Sequence, residues 1–384
     1  MQHTSYIEIS KSAYAKNIDF LRSEVGKKTE ISIVVKGNAY GHGIENIVPL
    51  AEENGIRHFS TFSSDEAFRV YNSSLHNSQV MIMGMLENAD LEEITLKGIS
   101  FFVFEFDRLE AAISTAKKLK KKAKVHIEVE TGFHRTGFEW EDREKLAKIL
   151  QENQDCLDLK GLCTHYAGAE SISNYVRVRR QIKEYKRFKK WFSAQRLIFE
   201  KYHTACSAAT LSYPETVMDM VRIGIASYGL WPTMETYMYR FQSLPENNKN
   251  PLKRLISWKS SVMNTKKVDM GEFIGYGSSY MAPRNMSIAL VPIGYGHGYS
   301  RLLSNQGKVL VRGKMVTVVG TVTMNSIAVD VTDVEDVSKG DEVVIIGCQQ
   351  DKEITVASFG ESTQQVNYEL LTRLPLDIPR KVVD

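Results

Sequence analysis

Between residues 31 and 226, eight short apolar runs alternate with amphipathic stretches, and this alternation limits the fold more than any other feature. Helical periodicity is clearest at 108–120 and 143–153. The runs that predict strands are 31–36, 58–62, 79–84, 99–104, 125–130, 161–165, 202–205 and 221–226. Strands that alternate with helices pair in parallel, so we predict an α/β chain containing a (β/α)8 barrel of the TIM type. A doubly wound open sheet is the alternative, because periodicity alone does not decide whether the sheet closes.

The pattern changes after Pro232. A polar stretch at 233–251 is typical of a linker or surface excursion. Beyond it, short alternating runs separated by Gly and Asp turns predict a mainly antiparallel β-domain. These runs are 257–265, 286–294, 308–311, 316–321, 327–331 and 342–347. Because 384 residues exceed one ordinary core, we expect two domains, over 8–236 and 237–384, with residues 1–7 as candidates for packing with the second.

The composition is that of a globular protein, with 43% hydrophobic and 25% charged residues and a net charge of +3. Such a nearly balanced charge requires neither a nucleic-acid partner nor a membrane partner. Basic residues cluster at 117–122 and 177–190, but both stretches carry apolar residues at helical spacing. Solvated outer helix faces are therefore favoured over a nucleic-acid site.

The N-terminus lacks the basic and apolar regions of a secretory signal, and no run approaches the ~20 apolar residues of a membrane span. We therefore expect a cytoplasmic protein. The four cysteines, Cys156, Cys163, Cys206 and Cys348, form no Cys-x-x-Cys pair. They predict thiols rather than a metal site, and no metal is expected.

Lys36 ends the first apolar run and therefore lies where barrel enzymes place their chemistry, at the carboxyl end of a strand. The residues that follow include Ala39-Tyr40-Gly41-His42-Gly43. This motif resembles the cofactor-lysine motif of the alanine racemase family. The resemblance implies that Lys36 binds pyridoxal 5′-phosphate covalently and that Tyr40 contacts the phosphate.

Two further strand ends carry the resemblance. The fifth predicted strand leads into Thr131-Gly132-Phe133-His134-Arg135-Thr136-Gly137, which is similar to the arginine motif of the family. Arg135 is thereby expected to contact the phenolic oxygen of the cofactor and the carboxylate of the substrate, for which a guanidinium fork is suited. The sixth strand ends at His165, which the family pattern places between the catalytic tyrosine and the next arginine.

The last two barrel strands supply the remaining cofactor contacts implied by the resemblance. Ser207 matches the phosphate-binding serine, and Arg222 matches the arginine that faces the pyridine nitrogen. The backbone amides of Gly224 and Ile225 are expected to bind the phosphate, at the late-strand phosphate site common in such barrels.

Three loops and one late tyrosine extend the resemblance through the second domain. The segment 274–280 resembles the catalytic-tyrosine loop, which implies that Tyr276 is a base. Tyr295, in 292–301, matches a residue that lines the substrate entrance. Met324, in 320–325, belongs to the loop that closes the site from the partner subunit. Tyr368 stands where the family has a phosphate-binding tyrosine.

Taken together, the resemblance implies an isomerase that interconverts L- and D-alanine by a two-base mechanism. Lys36 and Tyr276 are the expected bases on opposite faces of the α-carbon, and His165 and Arg222 are expected to lower the pKa of the tyrosine. A cytoplasmic homodimer with active sites shared between subunits, supplying D-alanine as a peptidoglycan precursor, follows from the same resemblance.

The chain departs from the family pattern at three positions near the expected substrate. Glu128 replaces a lysine that becomes carboxylated in many members, and we expect its carboxylate to orient Arg135 by a charge-assisted hydrogen bond. Cys206 and Asn325 replace the usual asparagine and aspartate. A racemase for serine, lysine, ornithine or a broad set of amino acids is therefore an alternative. A decarboxylase of the same fold and a non-catalytic cofactor carrier are weaker alternatives.

Overall fold

The computed structural model of the chain describes residues 3–241, 250–363 and 368–384. These residues form two compact units. The barrel unit comprises residues 12–39 and the described part of 47–254, and the sheet unit comprises residues 3–11, 40–46 and the described part of 255–384. The strands, numbered in chain order, are β1 (Ser5–Ser10), β2 (Glu30–Val34), β3 (His58–Thr61), β4 (Gln79–Ile82), β5 (Ser100–Val103), β6 (Ala123–Glu128), β7 (Leu157–Cys163), β8 (Lys201–His203), β9 (Met220–Ile223), β10 (Ile256–Ser261), β11 (Asn264–Val268), β12 (Met286–Val291), β13 (Lys308–Val311), β14 (Lys314–Val319), β15 (Ile327–Asp330), β16 (Glu342–Gln349), β17 (Lys352–Ile354) and β18 (Arg380–Val383).

The strands of the barrel unit lie side by side in parallel, in the order β8-β7-β6-β5-β4-β3-β2-β9. The two ends of this sheet meet, because the Arg222 amide donates to the Ala205 carbonyl at 2.9 Å and the Asp219 amide to the Tyr202 carbonyl at 3.2 Å. Strands β3 and β5 are buried along their whole length, as expected where helices cover one face and the barrel interior fills the other. The predicted (β/α)8 barrel is confirmed, and the open doubly wound sheet is wrong.

Helices follow the barrel strands and are amphipathic. They are Lys11–Val25, Ile44–Glu53, Ser64–Ser73, Leu91–Lys97, Phe106–Leu119, Arg143–Glu152, Tyr175–Ala194, Ser207–Ser212 and Met234–Phe241, with Val356–Thr363 and Glu369–Thr372 later in the chain. The basic stretch 177–190 lies on one of them, which buries Val178, Ile182 and Tyr185 and leaves Lys183 exposed. Across the part of the chain that the structure describes, no helix is long and apolar enough to cross a membrane.

The stretch 233–251, predicted to be a linker, is partly helical. Residues 242–249 lie outside the described residues, but Met234–Phe241 is a helix. The ring of Tyr237 lies 5.3 Å from that of Trp231, and Arg240 forms an ion pair with Glu24 at 2.7 Å. The helix thus contacts the rest of the barrel unit and is not an extended linker.

The sheet unit has the strand order β11-β12-β15-β14-β13-β16-β10-β1-β18, with β17 paired to β16. Neighbours pair antiparallel except β1 and β18, which are parallel. The predicted run 257–265 is divided into β10 and β11, because the chain changes partners there. The Val262 amide donates to Asp341 at 2.9 Å, and the Met263 amide to Leu290 at 2.7 Å. The mainly antiparallel second part of the fold is confirmed.

Candidate active site

The predicted barrel residues lie at or just beyond the carboxyl ends of their strands. Lys36 follows β2, Arg135 lies in the loop after β6, and His165 follows β7. Ser207 follows β8, and Arg222 is the third residue of β9. The carboxyl ends of parallel barrel strands meet at one face, which is where such barrels carry their active sites.

Lys36 is displayed by an unusual backbone. The four residues after it have left-handed φ angles of 62°, 55°, 54° and 52°, and only the first of them, Gly37, is a glycine. A left-handed conformation costs an ordinary residue roughly 1–2 kcal/mol, so the turn needs external support.

Helix Ser64–Ser73 provides that support through two side chains. The Glu66 carboxylate accepts hydrogen bonds from the amides of Gly37 at 2.6 Å and Asn38 at 3.4 Å. The Arg69 guanidinium donates to the Asn38 side-chain oxygen at 2.6 Å. Neither Glu66 nor Arg69 was predicted from the sequence. Glu66 is buried in the structure, and its place on the buried face of an amphipathic helix was the one sequence signal that could have identified it.

The electrostatic environment makes the Lys36 ammonium group easier to deprotonate than that of an ordinary lysine. Lys36 remains accessible to solvent, yet burial of its amine among neighbouring atoms and the Arg135 guanidinium lower its pKa below the ordinary value of 10.5. Arg222 acts in the same direction, while Glu66 and Cys206 oppose it. A neutral amine is both a better nucleophile and a better base than an ammonium group.

The pKa of His165 is lowered by three nearby positively charged side chains. Burial and the charges of Arg222, Arg135 and Lys36 lower the pKa of its imidazole from 6.5 to about 3. The imidazole is therefore neutral at physiological pH. Three cations acting on one histidine make this end of the barrel a site for an anion.

Arg222 is fixed by acceptors on neighbouring strands. Its Nη1 donates to Nδ1 of His203 and, at 3.0 Å, to the His203 carbonyl. Its Nη2 donates to the carbonyls of Thr164 at 2.7 Å and Thr204 at 3.3 Å. Arg222 is 4% exposed, so its orientation is set by the barrel interior rather than by solvent.

A directed hydrogen-bond chain continues from Arg222 into the barrel, through residues that were not predicted. Because a guanidinium only donates, Nδ1 of His203 accepts, and its Nε2 donates to Nδ1 of His126 at 2.9 Å. The other nitrogen of His126 donates to Ser100 at 3.2 Å, which donates to the Val80 carbonyl at 3.1 Å. Burial and the Arg222 charge hold the pKa of both imidazoles well below 6.5. The sequence signal that could have identified these two residues was a histidine within each of two predicted strands.

Ser207, Gly224 and Ile225 lie together, as predicted. The Ser207 hydroxyl accepts from the Gly224 amide at 3.0 Å and from the Ala226 amide at 3.4 Å. Ile225 begins a short 3₁₀ helix, Ile225–Tyr228. A hydroxyl beside backbone amides at the start of a helical turn is suited to binding a phosphate.

The hydrogen bond expected between Glu128 and Arg135 is not among those of the described residues, and that prediction is wrong. The Glu128 carboxylate instead accepts from the Thr136 hydroxyl at 2.8 Å. Burial raises the pKa of Glu128, while Thr136, Arg222 and Arg135 partly offset this effect. Arg135 lies over the Phe133 ring, with 4.2 Å between the guanidinium carbon and the ring centroid.

The remaining predicted residues belong to the sheet unit. Tyr276 is the first residue of the turn Tyr276–Ser278, in which Gly277 has a φ of 74°. Tyr276 is 73% exposed. The turn is joined to the segment after β14, because the Tyr276 carbonyl accepts from the Thr321 hydroxyl at 3.0 Å. Ile274, just before the turn, packs into a core cluster with Ala282, Met286, Ile288 and Val319.

Tyr295 and Met324 are held next to each other by backbone pairing. The Tyr295 amide donates to the Thr323 carbonyl at 3.0 Å, and the Gly296 amide donates to the Met324 carbonyl at 2.9 Å. Tyr276, Tyr295 and Met324 are all exposed and are therefore available to a ligand or another chain.

Tyr40 and Tyr368 form a second group in the sheet unit. Their ring centroids are 5.7 Å apart in an edge-to-face arrangement. A Cβ atom at Gly41 would lie 2.0 Å from the Leu371 carbonyl oxygen, which explains the glycine after Tyr40. The two phenols predicted to bind phosphate are thus neighbours. Within residues 3–241, 250–363 and 368–384, no cluster of three metal-ligating side chains is found.

Comparison with known proteins gives consistent matches along the chain. Residues 9–232 match the family model described as alanine racemase, N-terminal domain, and residues 255–382 match alanine racemase, C-terminal domain. An alanine racemase of Leptospira interrogans is 33% identical over 386 aligned residues, which cover 100% of this chain and 96% of the relative.

Solved structures of similar proteins share the fold. The alanine racemase of the D-cycloserine producer Streptomyces lavendulae superposes with a TM-score of 0.91 at 27% identity, covering 100% of this chain and 98% of that chain. The alanine racemase of Bartonella henselae, solved with covalently bound pyridoxal phosphate, gives a TM-score of 0.84 at 27% identity and covers 100% of both chains.

Proposed function

We propose that this chain, which belongs to the alanine racemase family, interconverts L- and D-alanine with pyridoxal 5′-phosphate as its cofactor. The proposal is carried by the convergence of Lys36, Arg135 and Arg222 on His165, whose pKa falls to about 3 through burial and these three charges. A lysine of lowered pKa beside fixed cations is what covalent binding of an anionic aldehyde requires.

The donors of this chain fit that cofactor, which presents a phosphate, a phenolic oxygen and an aldehyde. The Ser207 hydroxyl and the amides of Gly224 and Ile225 are the proposed phosphate donors in the barrel unit, and the Gly224 amide, which donates to Ser207 in this structure, is proposed to donate to the phosphate once it is bound. Tyr40 and Tyr368 are proposed to add their phenols to the same group. When bound, the cofactor supplies a conjugated ring that delocalises the electron pair left at Cα after the α-proton is removed.

Arg222 is proposed to face the ring nitrogen of the cofactor. A guanidinium stays charged and only donates hydrogen bonds, so it does not protonate that nitrogen as a carboxylic acid would. The hydrogen bonds from Arg222 to His203, Thr164 and Thr204 support this role, because they prevent the group from rotating away. A weaker electron sink should limit side reactions.

Arg135 is proposed to bind the substrate carboxylate and the phenolic oxygen of the cofactor. Its guanidinium is exposed and rests on the Phe133 ring, which leaves its donors facing outward. A planar fork of donors matches a carboxylate in two parallel hydrogen bonds. This contact fixes the orientation of the α-carbon between two bases.

Inversion at Cα needs proton removal on one face and proton return on the other. Lys36 is the proposed base on one face, since its amine has a lowered pKa. Tyr276 is the proposed base on the opposite face. We propose that neutral His165 and charged Arg222 assist proton transfer by the Tyr276 phenol.

Tyr276 is proposed to act in the partner subunit of a homodimer. The sheet unit also exposes the apolar side chains of Phe273 at 57%, Met281 at 57% and Met324 at 55%, in the same loops as Tyr276 or in the loop next to Tyr295. A patch of this kind is typical of a protein interface. Light scattering of the purified protein should therefore give the mass of two chains.

Mixed dimers test whether the sites are shared. Lys36→Ala and Tyr276→Phe should each be inactive alone, but after refolding together they should recover roughly a quarter of the wild-type activity, because half the dimers then contain one intact site. No recovery in verified mixed dimers would place both bases in one subunit.

Alanine is the proposed substrate, and other amino acids are alternatives that the relatives do not favour. The cofactor-loaded enzyme should be assayed with L-alanine, L-serine, L-lysine and L-ornithine, and the products separated on a chiral column. We expect the highest kcat/KM for alanine and no racemisation by Lys36→Ala. A higher kcat/KM for lysine or ornithine, or an amine product, would overturn the assignment.

A cytoplasmic location is proposed because Cys156, Cys163 and Cys206 are thiols rather than disulfides, as is usual in a reducing compartment. D-alanine made there would serve as a peptidoglycan precursor. Cell fractionation followed by immunoblotting tests the location, and a D-alanine requirement on deletion tests the use of the product.

A further inference from the structure

We propose that Glu130 is the residue that positions Arg135, through the backbone of the loop 131–137, and that Phe133 completes the positioning. This inference rests on the proposed function, in which Arg135 binds the substrate carboxylate. It assigns to Glu130 the role that was expected of Glu128.

Glu130 organises four consecutive peptide groups. One carboxylate oxygen accepts from the amide of Gly132 and, at 2.7 Å, from that of Phe133. The other accepts from the amides of His134 at 2.9 Å and Arg135 at 3.3 Å. Glu130 is only 8% exposed, so these hydrogen bonds form away from bulk water. Converging amides of this kind form a cradle for an anion, and here the anion is a side chain of the protein.

The backbone of the loop is strained. Gly132 and Gly137 have φ angles of 119° and 123°, and His134 has a φ of 61°, which is unfavourable for a residue with a side chain. A Cβ atom at Gly137 would lie 2.6 Å from the Glu130 amide nitrogen, so the returning backbone packs directly on the glutamate. The carboxylate therefore offsets the cost of a strained loop.

Phe133 links the loop backbone to the Arg135 guanidinium, which lies on its ring. The guanidinium carbon of Arg135 lies 4.2 Å from the Phe133 ring centroid, within the range of a cation–π contact. The centroids of Phe133 and His165 are 5.6 Å apart. The ring thus contacts both Arg135 and His165. Because Glu130 also binds the Phe133 amide, one carboxylate fixes both the arginine and the surface on which it lies.

Glu128 provides the matched control. It is also a buried glutamate, two residues earlier, but its carboxylate hydrogen bond is with the Thr136 hydroxyl and not with the loop amides. Replacement of Glu128 by glutamine keeps an acceptor for Thr136. Replacement of Glu130 by glutamine directs an NH2 group towards amide donors.

The test uses the cofactor-loaded enzyme and three variants, Glu130→Gln, Phe133→Leu and Glu128→Gln. Amide hydrogen exchange over residues 131–137, measured by mass spectrometry, should accelerate about tenfold or more in Glu130→Gln, because a charged acceptor is lost. Calorimetry with propionate, the carboxylate of alanine without its amine, should show affinity reduced about tenfold in Glu130→Gln and about threefold in Phe133→Leu. Glu128→Gln should stay within about twofold of wild type in both measurements.

Kinetics separate positioning from general damage. In Glu130→Gln, KM for alanine should rise more than kcat falls, and Glu130→Asp, which keeps the charge on a shorter arm, should restore part of the loss. Glu130→Asp also serves if Glu130→Gln fails to fold. Wild-type exchange and propionate affinity in Glu130→Gln, or equal losses in Glu128→Gln, would overturn the inference. If the wild type does not racemise alanine, the proposed function fails, while hydrogen exchange still tests the role of Glu130.

Discussion

Replacing Arg222 by lysine should destabilise the protein strongly, although the charge is kept. The guanidinium donates to Nδ1 and the carbonyl of His203 and to the carbonyls of Thr164 and Thr204. An ammonium group on a single atom can reach one or two of these four acceptors. Two or three buried acceptors then lose their donor at about 1–3 kcal/mol each, so we expect a loss of roughly 4 kcal/mol.

The melting temperature converts this loss into a measurable shift. For a unit of this size, each kcal/mol lowers the melting temperature by about 2–4 °C, so Arg222→Lys should melt roughly 8–16 °C below wild type. Calorimetry of both proteins at the same saturating cofactor concentration measures the shift. Arg135→Lys is the matched control, because its guanidinium is exposed and contacts the Phe133 ring.

The control should melt within about 3 °C of wild type, since a solvent-exposed cation–π contact contributes only ~0.5–1 kcal/mol. Arg135→Lys should nevertheless lose affinity for alanine. A melting temperature of Arg222→Lys within 3 °C of wild type would refute the view that the barrel interior fixes this arginine. An equal loss of stability in Arg135→Lys would refute the contrast between the two residues.

Three further outcomes are expected. Burial lowers the pKa of His58 to about 4, and burial with three cations lowers that of His165 to about 3, so both stay neutral when folded but bind protons near pH 6.5 when unfolded. Below pH ~6.5, each should therefore cost about 1.4 kcal/mol of unfolding free energy per pH unit, measured by urea denaturation at pH 7.5 and 5.5. Tyr276→Phe should slow exchange of the α-proton of L-alanine more than that of D-alanine in single-turnover experiments. Depletion of carbon dioxide at constant pH should leave activity unchanged, because position 128 is a glutamate and offers no lysine amine for carboxylation.

Each of these outcomes has a control. His58→Asn should reduce the acid sensitivity, and an unchanged slope would show that His58 is not the titrating group. Equal, small losses of exchange for both enantiomers would exclude Tyr276 as a base. Restoration of activity by bicarbonate after depletion would reveal a carboxylated group elsewhere in the protein.

Much of the fold could be predicted from the sequence, because the spacing of apolar residues and the length of each apolar run are local properties of the chain. Eight strands separated by helices predicted the barrel, and the strand ends predicted Lys36, Arg135, His165 and Ser207 as neighbours at one face. The predicted membership in the alanine racemase family is confirmed by the two family models. The roles assigned to individual residues remain proposals.

The features that sequence reasoning missed depend on contacts between distant segments. In the sequence, Glu130 looks like any other glutamate near the end of a strand. Only the fold shows that four amides surround its carboxylate. His203 accepts from Arg222 across neighbouring strands. The helix Met234–Phe241 similarly contacts Trp231 and pairs with Glu24, which local sequence does not show.

The central claim is that two residues, Lys36 and Tyr276, exchange protons on opposite faces of the α-carbon of alanine. The most direct measurement is racemisation of L-alanine in deuterium oxide, stopped early, with chiral separation and mass spectrometry of both enantiomers. Because the proton that Lys36 delivers comes from an amine that exchanges with solvent, D-alanine should carry deuterium at Cα, while L-alanine that has not yet reacted retains protium. D-alanine that retains protium would indicate a single base, and no D-alanine at all would contradict the assignment to alanine.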